Sequence, residues 1–417
     1  MHTHKQNLLD QLTSAQLEKA KILNQEVVPW DKLKPIGLSE EQCLEIAKLL
    51  ISSLKPSKED KIVFIFTPVS KGIAEHCLEL LQASGAHYAL DYYEPALLTK
   101  FFLNTNKLQV QNFAEQQLKN YEQINKKLIL NMEEEDSIVP NELRRYYDDL
   151  MSTHRARVRS GEIFYTLTSI PTIANAALEE IKYEDYLQLY YKMCTQPWEE
   201  IGKAQQILIE HFNQASTIRL RNSDGTDLTM SIKGQTFANS LIAKNLPGSE
   251  FFSSPIRDSV NGKLVAKGKF MYDYGELMED LEFEFKDGKI INFSAARGQE
   301  TLNSIVTLDD DQGEGSRHVG EIGFGTNPAL NFHVANGLLV EKIASSFHIA
   351  LGSCYTYDNY LGTPVKLDNG NFSKGGLHWD ITTMLLGKNG TIELDGTLVH
   401  SNGHWLIPGT SILDVKQ

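Results

Sequence analysis

The chain has 417 residues, 41% of them hydrophobic and 23% charged, a balance ordinary for a globular protein and a length beyond one core, so two domains are expected. Its 54 acidic against 40 basic side chains leave a formal charge of −14, which repels phosphates and argues against nucleic acid or an anionic membrane surface as a partner. No apolar run reaches about 18 residues, and the N-terminal M-H-T-H-K-Q-N lacks the apolar segment of a signal peptide, so a cytoplasmic protein with no membrane partner is expected.

Residues 6–25 and 39–55 carry apolar side chains at helical spacing, and Ser39 followed by Gln42 has the form of a capping box. Lys61 to Phe66 is a short β-branched and aromatic run, the pattern of a strand buried on both faces. A helix through Ala74, Cys77, Leu78 and Leu81 follows, then Gly85 and a strand around Tyr88 to Leu90. Further strands are expected at Leu128 to Leu130 and Ile163 to Thr166, so this part reads as a layered α/β domain with a mostly parallel sheet. Thr67 to Gly72, after the first strand, is neither a dinucleotide fingerprint nor a phosphate-binding loop, which argues against a nucleotide there. The acidic run Glu133 to Asp136 reads as a solvated loop, and helices are expected at 174–181, 183–193 and 197–212.

Near Ala215 the apolar period changes from that of helices to that of strands, which places the domain boundary there: 1–214 α/β, 215–417 β-rich. Asp224-Gly225, Asp287-Gly288 and Asp395-Gly396 each sit between alternating runs, as hairpin turns do. The four cysteines, Cys43, Cys77, Cys194 and Cys354, form no C-x-x-C and read as buried reduced thiols.

Three glycine-interrupted segments of the second half concentrate donor side chains: E-I-G-F-G-T-N from Glu321, F-H-I-A-L-G-S-C-Y from Phe347, and G-L-H-W-D from Gly376. Carboxylates mixed with imidazoles and no thiolate pair suit a zinc, manganese, cobalt or iron site rather than a structural zinc knot. On a strand His378 and Asp380 share a face and Trp379 points away. His348 and Tyr355 lie on opposite faces of an unbroken strand and converge only if the chain turns between them, for which Gly352 is well placed. Each segment also has a plain reading: H-x-D as a hydrogen-bonded core pair, and E-x-G-x-G-T-N as a tight turn. Glu341-Lys342 reads as a surface salt bridge, and His400 and His404 flank a loop-like S-N-G and stay outside the site.

These segments, with N-L-P-G-S-E-F-F-S-S-P from Asn245 and E-K-I-A-S-S before His348, resemble the M29 family of metallo-aminopeptidases, the aminopeptidase T group. T-L-T-S-I-P-T from Thr166 and D-G-T-D-L-T from Asp224 resemble further landmarks, so the likeness runs from about Ile62 onward. Carried over, it implies Glu250, Glu321, His348, Tyr355, His378 and Asp380 as metal ligands. It implies an α/β N-terminal domain, a β-rich C-terminal domain carrying the site, and a homodimer that encloses it. The resemblance also implies peptides as substrates, and six ligands exceed what one catalytic ion uses, which points to two divalent ions (Zn, Co, Mn or Mg). No general base is assigned. A ring-cleaving Fe(II) dioxygenase on the same scaffold, using His348, His378 and Asp380 alone, is the alternative, with a non-catalytic peptide-binding relative as a third reading.

Overall fold

The computed structural model describes residues 29–34, 36–130, 140–272, 276–311 and 313–415. The helix expected at 6–25, His2, His4 and the acidic run at 133–136 therefore lie outside the described residues. The chain divides into two compact units between Thr172 and Ile173.

In the first unit, helix α1 (Glu40–Leu54) starts on the expected capping box, in which Ser39 and Gln42 each accept the other's backbone N–H. Strand β1 (Lys61–Phe66) leads to α2 (Lys71–Ser84), and Gly85 closes that helix in the left-handed region. Then come β2 (His87–Tyr92), α3 (Pro95–Leu103), α4 (Lys107–Tyr121), β3 (Lys126–Leu130), α5 (Asn141–Leu150), α6 (Ser152–Arg159) and β4 (Phe164–Thr168). The four strands pair in parallel in the order β2-β1-β3-β4, the sheet that alternating strands and helices imply. Ile62 to Ile65 are all buried, as a central strand covered on both faces requires, and Val63, Ile65 and Ile129 pack with Tyr121 and Met151 on one of them.

The second unit opens with α7 (Ile173–Leu178), α8 (Tyr183–Cys194) and α9 (Trp198–Gln214). The turn from helix to strand falls at Ala215 as the periodicity indicates. The stretch 173–214 nevertheless belongs with the strands that follow, because Ile201, Leu208 and Phe212 of α9 are buried in their core. The strands are β5 (Thr217–Arg221), β6 (Asp227–Ser231), β7 (Ala238–Ser240), β8 (Asn245–Leu246), β9 (Glu250–Ser253), β10 (Asn261–Tyr272), β11 (Glu276–Lys286) and β12 (Lys289–Arg297). After α10 (Gln299–Val306) come β13 (Val319–Gly325), β14 (Ser346–Gly352), β15 (Asn359–Tyr360), β16 (Thr363–Pro364), β17 (His378–Met384), β18 (Thr391–Leu394), β19 (Thr397–Ser401) and β20 (His404–Trp405). One sheet runs β12-β11-β10-β6-β5-β18-β19-β20 and a second runs β17-β14-β13-β9-β7. Their apolar faces share one core: Ile218, Leu220, Met230 and Phe283 from the first, Phe251, Phe324, Phe347 and Trp379 from the second. All four cysteines are buried and unbridged. No described helix is long and apolar enough to cross a membrane.

One buried carboxylate ties the start of β1 to that of β3. Asp60, 5% exposed, accepts from Lys126 Nζ at 2.8 Å, Asn125 Nδ2 at 2.8 Å and the Ser57 amide at 2.7 Å. Burial pushes its pKa up, but the donors, Lys126 foremost, outweigh burial and hold it below the usual value. A lowered folded-state pKa gives stability that is present above the unfolded value and lost as pH falls through the folded one. Asp60→Asn should therefore destabilise the protein at neutral pH by about 1–3 kcal/mol. In denaturant titrations the gap from wild type should close as the pH drops below about 4.

Candidate metal centre

Strand periodicity builds the site. In the second sheet Gly325 pairs with Glu250 and Ser346, Gly323 with Phe252 and His348, Ala350 with Glu321 and Asp380, and Gly352 with His378. Residues directly opposite one another share a face, so Glu250, Glu321, His348, His378 and Asp380 all project from one side. Their strand neighbours Phe251, Ile322, Phe347, Ile349, Trp379 and Ile381 project from the other and enter the core. H-x-D thus places its two polar residues together and its tryptophan away. E-I-G-F-G is a fully buried strand, not the tight turn that its glycines also allowed.

Small residues make room for large ones on the polar face. A Cβ on Gly323 would stand 2.2 Å from His348 Nε2, so the imidazole lies where any other side chain would be. The chain bends after Gly352, whose φ of +101° ends β14 and lets Tyr355 return toward His378, their rings 5.2 Å apart.

The five donors are mutually close. His348 Nε2 is 3.5 Å from Glu250, 3.4 Å from Glu321 and 4.0 Å from Asp380, and His378 Nε2 is 3.5 Å from Glu321 and 3.9 Å from Asp380. One ligand atom from each of Glu250, Glu321 and His348 falls within a 4.8 Å span. Tyr355 joins the group through its ring contact with His378.

The donor set fits a divalent cation. Separations of 3.4–3.5 Å are long for charged hydrogen bonds. They are what two donors about 2.1 Å from one tetrahedral ion would show, about 3.4 Å apart. Buried oxygens of Glu250, Glu321 and Asp380 find no hydrogen-bond partner among the described residues. The backbone carbonyl of Ser353 lies 2.7 Å from His378 Nδ1, which puts the proton there and aims the Nε2 lone pair at the carboxylates. Burial alone would raise Glu321, yet the two imidazoles bring it to about 2. Burial alone would lower His378, yet Glu321 and Asp380 raise it to about 9. The two shifts are the two sides of one attraction, each group favouring the charged form of the other.

Glu341-Lys342 is not the surface pair that its sequence suggests. Lys342 is 0% exposed, and its Nζ lies 2.5 Å from Glu250 Oε1 and 2.6 Å from Glu341 Oε2. Glu341 is half-buried, and burial, together with Asp380 and Glu250, holds its pKa well above the usual carboxylate range despite Lys342. The signal was the setting of the pair, between Leu338-Leu339-Val340 and Ile343-Ala344, an apolar neighbourhood foreign to surface ion pairs. A second polar knot fixes the strand ends. Gln205 of α9, fully buried, donates to Ser249 Oγ at 3.2 Å and Thr326 Oγ1 at 2.8 Å, and Asn327 donates to the carbonyls of Met193 and Gly248. His400 is a core histidine against Trp405 and Ser345, and His404 is exposed, so neither joins the site.

A sheet presenting one polar, carboxylate-rich face in this way has the donors that a metalloprotein needs, and comparison with known proteins gives the family. The sequence profile described as thermophilic metalloprotease (M29) matches residues 39–405, and the chain belongs to that family. It is 29% identical over 231 residues to aminopeptidase T of Thermus aquaticus, across 50% of this chain and 54% of that one. To aminopeptidase AmpS of Bacillus subtilis (strain 168) it is 25% identical over 249 residues, 50% of this chain and 58% of the other. A 130-residue stretch is 32% identical to aminopeptidase 2 of Geobacillus stearothermophilus, 30% of this chain and 28% of that one. The matches thus span little more than half the length of these curated relatives, or less. Among solved structures, wild-type AmpT from Thermus thermophilus superposes with a TM-score of 0.70 at 18% identity, covering 88% of this chain and 100% of that one. A 2,5-dihydroxypyridine dioxygenase from Pseudomonas putida KT2440 gives 0.55 at 15% identity, over 90% and 99%. At such identities these two show a shared fold.

Two substitutions probe the arrangement. Gly323→Ala should displace the His348 imidazole, visibly in a crystal structure, and cost about 1–3 kcal/mol by overpacking in denaturant titrations. Lys342→Met should leave Glu250 and Glu341 without their cation and cost about 3–5 kcal/mol by the same measurement.

Proposed function

We propose that the protein is a metal-dependent aminopeptidase that removes N-terminal residues from peptides at a two-metal site. What carries the reading is the convergence of Glu250, Glu321, His348, His378 and Asp380 on one buried sheet face in a member of a metalloprotease family.

Glu250, Glu321, Asp380 and the Nε2 atoms of His348 and His378 would hold the ions. Two divalent cations, when bound, supply a water acidified toward neutrality and a Lewis acid for the scissile carbonyl. Five donors, with the Glu341 carboxylate close by, exceed what one tetrahedral catalytic ion takes while leaving a position open. The chain does the rest of the work. Ser353 fixes the His378 tautomer through its carbonyl, and Lys342 holds the Glu250 carboxylate by one oxygen so that the other faces His348. The carboxylate surplus also suits docking of a substrate's free α-ammonium group. Tyr355 is assigned to the edge of the site, where its phenol can donate to the reacting peptide or to a metal-bound carboxylate.

The dioxygenase alternative would use His348, His378 and Asp380 as a mononuclear triad. It gains a shared fold from the comparisons, while Glu250 and Glu321 lie as close to His348 as Asp380 does and have no task in such a triad.

The deciding experiment strips metal from the protein and restores Zn, Co, Mn, Mg or Fe(II) separately, assaying aminoacyl-anilide cleavage beside oxygen uptake on a dihydroxypyridine. The expected outcome is amine release that depends on added metal and falls at least about 100-fold in Glu321→Gln. Oxygen uptake confined to Fe(II), without amine release, would establish the alternative instead.

A further inference from the structure

Tyr355 stands on the irregular stretch after β14, where no ladder of strand hydrogen bonds fixes the backbone, yet its ring is held on three sides. Phe252 meets it edge-on at 5.6 Å, His378 lies at 5.2 Å, and Tyr357 stacks on it at 5.2 Å with the planes 13° apart. Tyr357 is itself tethered. Its hydroxyl accepts from Lys244 Nζ at 2.7 Å, and the same ammonium lies 4.2 Å from the centre of the Tyr357 ring and 5.3 Å from that of Tyr360. Tyr360 packs in turn on Tyr357 and on Phe252, so the aromatic wall closes on itself.

Lys244 is 7% exposed, a costly place for an ammonium group. Burial pulls its pKa down to about 8. Two aromatic faces and a phenol oxygen replace part of its water, the setting in which cation–π attraction is strongest.

We propose that Lys244 and Tyr357 are positioning residues that hold the Tyr355 phenol beside His378 at the rim of the metal centre. The inference rests on the hydrolytic reading given above. Lys244 reaches Tyr355 through the Tyr357 phenol and the stacked pair of rings. A functional phenol on irregular backbone needs such a support, because small displacements of a reacting group cost rate steeply.

The test compares the metal-loaded full-length wild type with Lys244→Met, Lys244→Arg, Tyr357→Phe, Tyr355→Phe and the double variant Lys244→Met/Tyr355→Phe in aminoacyl-anilide hydrolysis. Lys244→Met should lower kcat about tenfold with KM within about twofold and metal content unchanged, and Lys244→Arg should recover part of the loss. Tyr357→Phe, which deletes one hydroxyl and leaves the stack, should give a smaller fall in the same direction. With Tyr355 already Phe, adding Lys244→Met should cost less than about twofold, since the group being positioned is gone. An unchanged kcat in Lys244→Met, or an equal loss in both backgrounds, would overturn the inference. So would a crystal structure of Lys244→Met with Tyr355 still against His378, a result independent of activity. Absence of metal-dependent hydrolysis from the wild type would instead sink the hydrolytic reading, leaving the crystal structure to decide the support of Tyr355.

Discussion

Carboxylates repel one another, and removing them from water strengthens that repulsion. On the polar face of the second unit Glu250, Glu321 and Asp380 are brought within reach of the same imidazole, with Glu341 close behind. Without compensation such a face would unfold or protonate. The compensation visible in the chain is partial. Lys342 neutralises one charge, and two imidazoles supply positive charge only when protonated. Buried oxygens remain without donors among the described residues. A divalent cation bound between the imidazoles would displace their protons and give those oxygens a partner.

The second constraint is steric. Five large polar side chains fit on one sheet face because their cross-strand neighbours are Gly323, Gly325, Ala350 and Gly352. The opposite face reverses the pattern, with Phe251 stacked on Phe324 at 5.1 Å and Phe347, Ile349 and Trp379 filling the core. Gln205 then ties α9 to Ser249 and Thr326 at the ends of the two strands that carry Glu250 and Glu321, so helix and sheet hold the donors together. The parallel sheet of the first unit is organised around its own apolar layers and the Asp60 tie.

Much of this could be read in the sequence because it follows from short-range rules. The capping box at Ser39, the two-sided burial of Ile62 to Ile65, the hairpin turns at Asp-Gly and the shared face of His378 and Asp380 each depend on residues within a few positions of one another. Helices α3 to α6 are harder to read: α3 is short and apolar nearly all round, α4 is mostly polar, and α5 and α6 are short and largely polar, so in each the periodic signal is weak or too brief to stand out. The burial of Lys342 also escaped, because an adjacent acid–base pair reads as solvated unless its apolar flanks are weighed. The grouping of α7 to α9 with the β-rich unit could not be read from periodicity at all: that is decided by which core Leu208 and Phe212 enter, a long-range property. Which glycines serve turns and which serve close approach was likewise ambiguous. Gly323 proved to be an empty slot for an imidazole, and Gly352 a true change of direction.

The strict two-sidedness of β13, β14 and β17 bears on how this protein can vary. Inserting one residue between His378 and Trp379 in β17 would shift every later side chain to the opposite surface, turning Trp379 outward and driving the Asp380 carboxylate into the aromatic layer beneath. Point substitutions leave that alternation intact, whereas odd-numbered length changes invert it. Natural or engineered lengthening should therefore be tolerated in connections such as 326–345 and 353–377, and rejected within the three strands themselves.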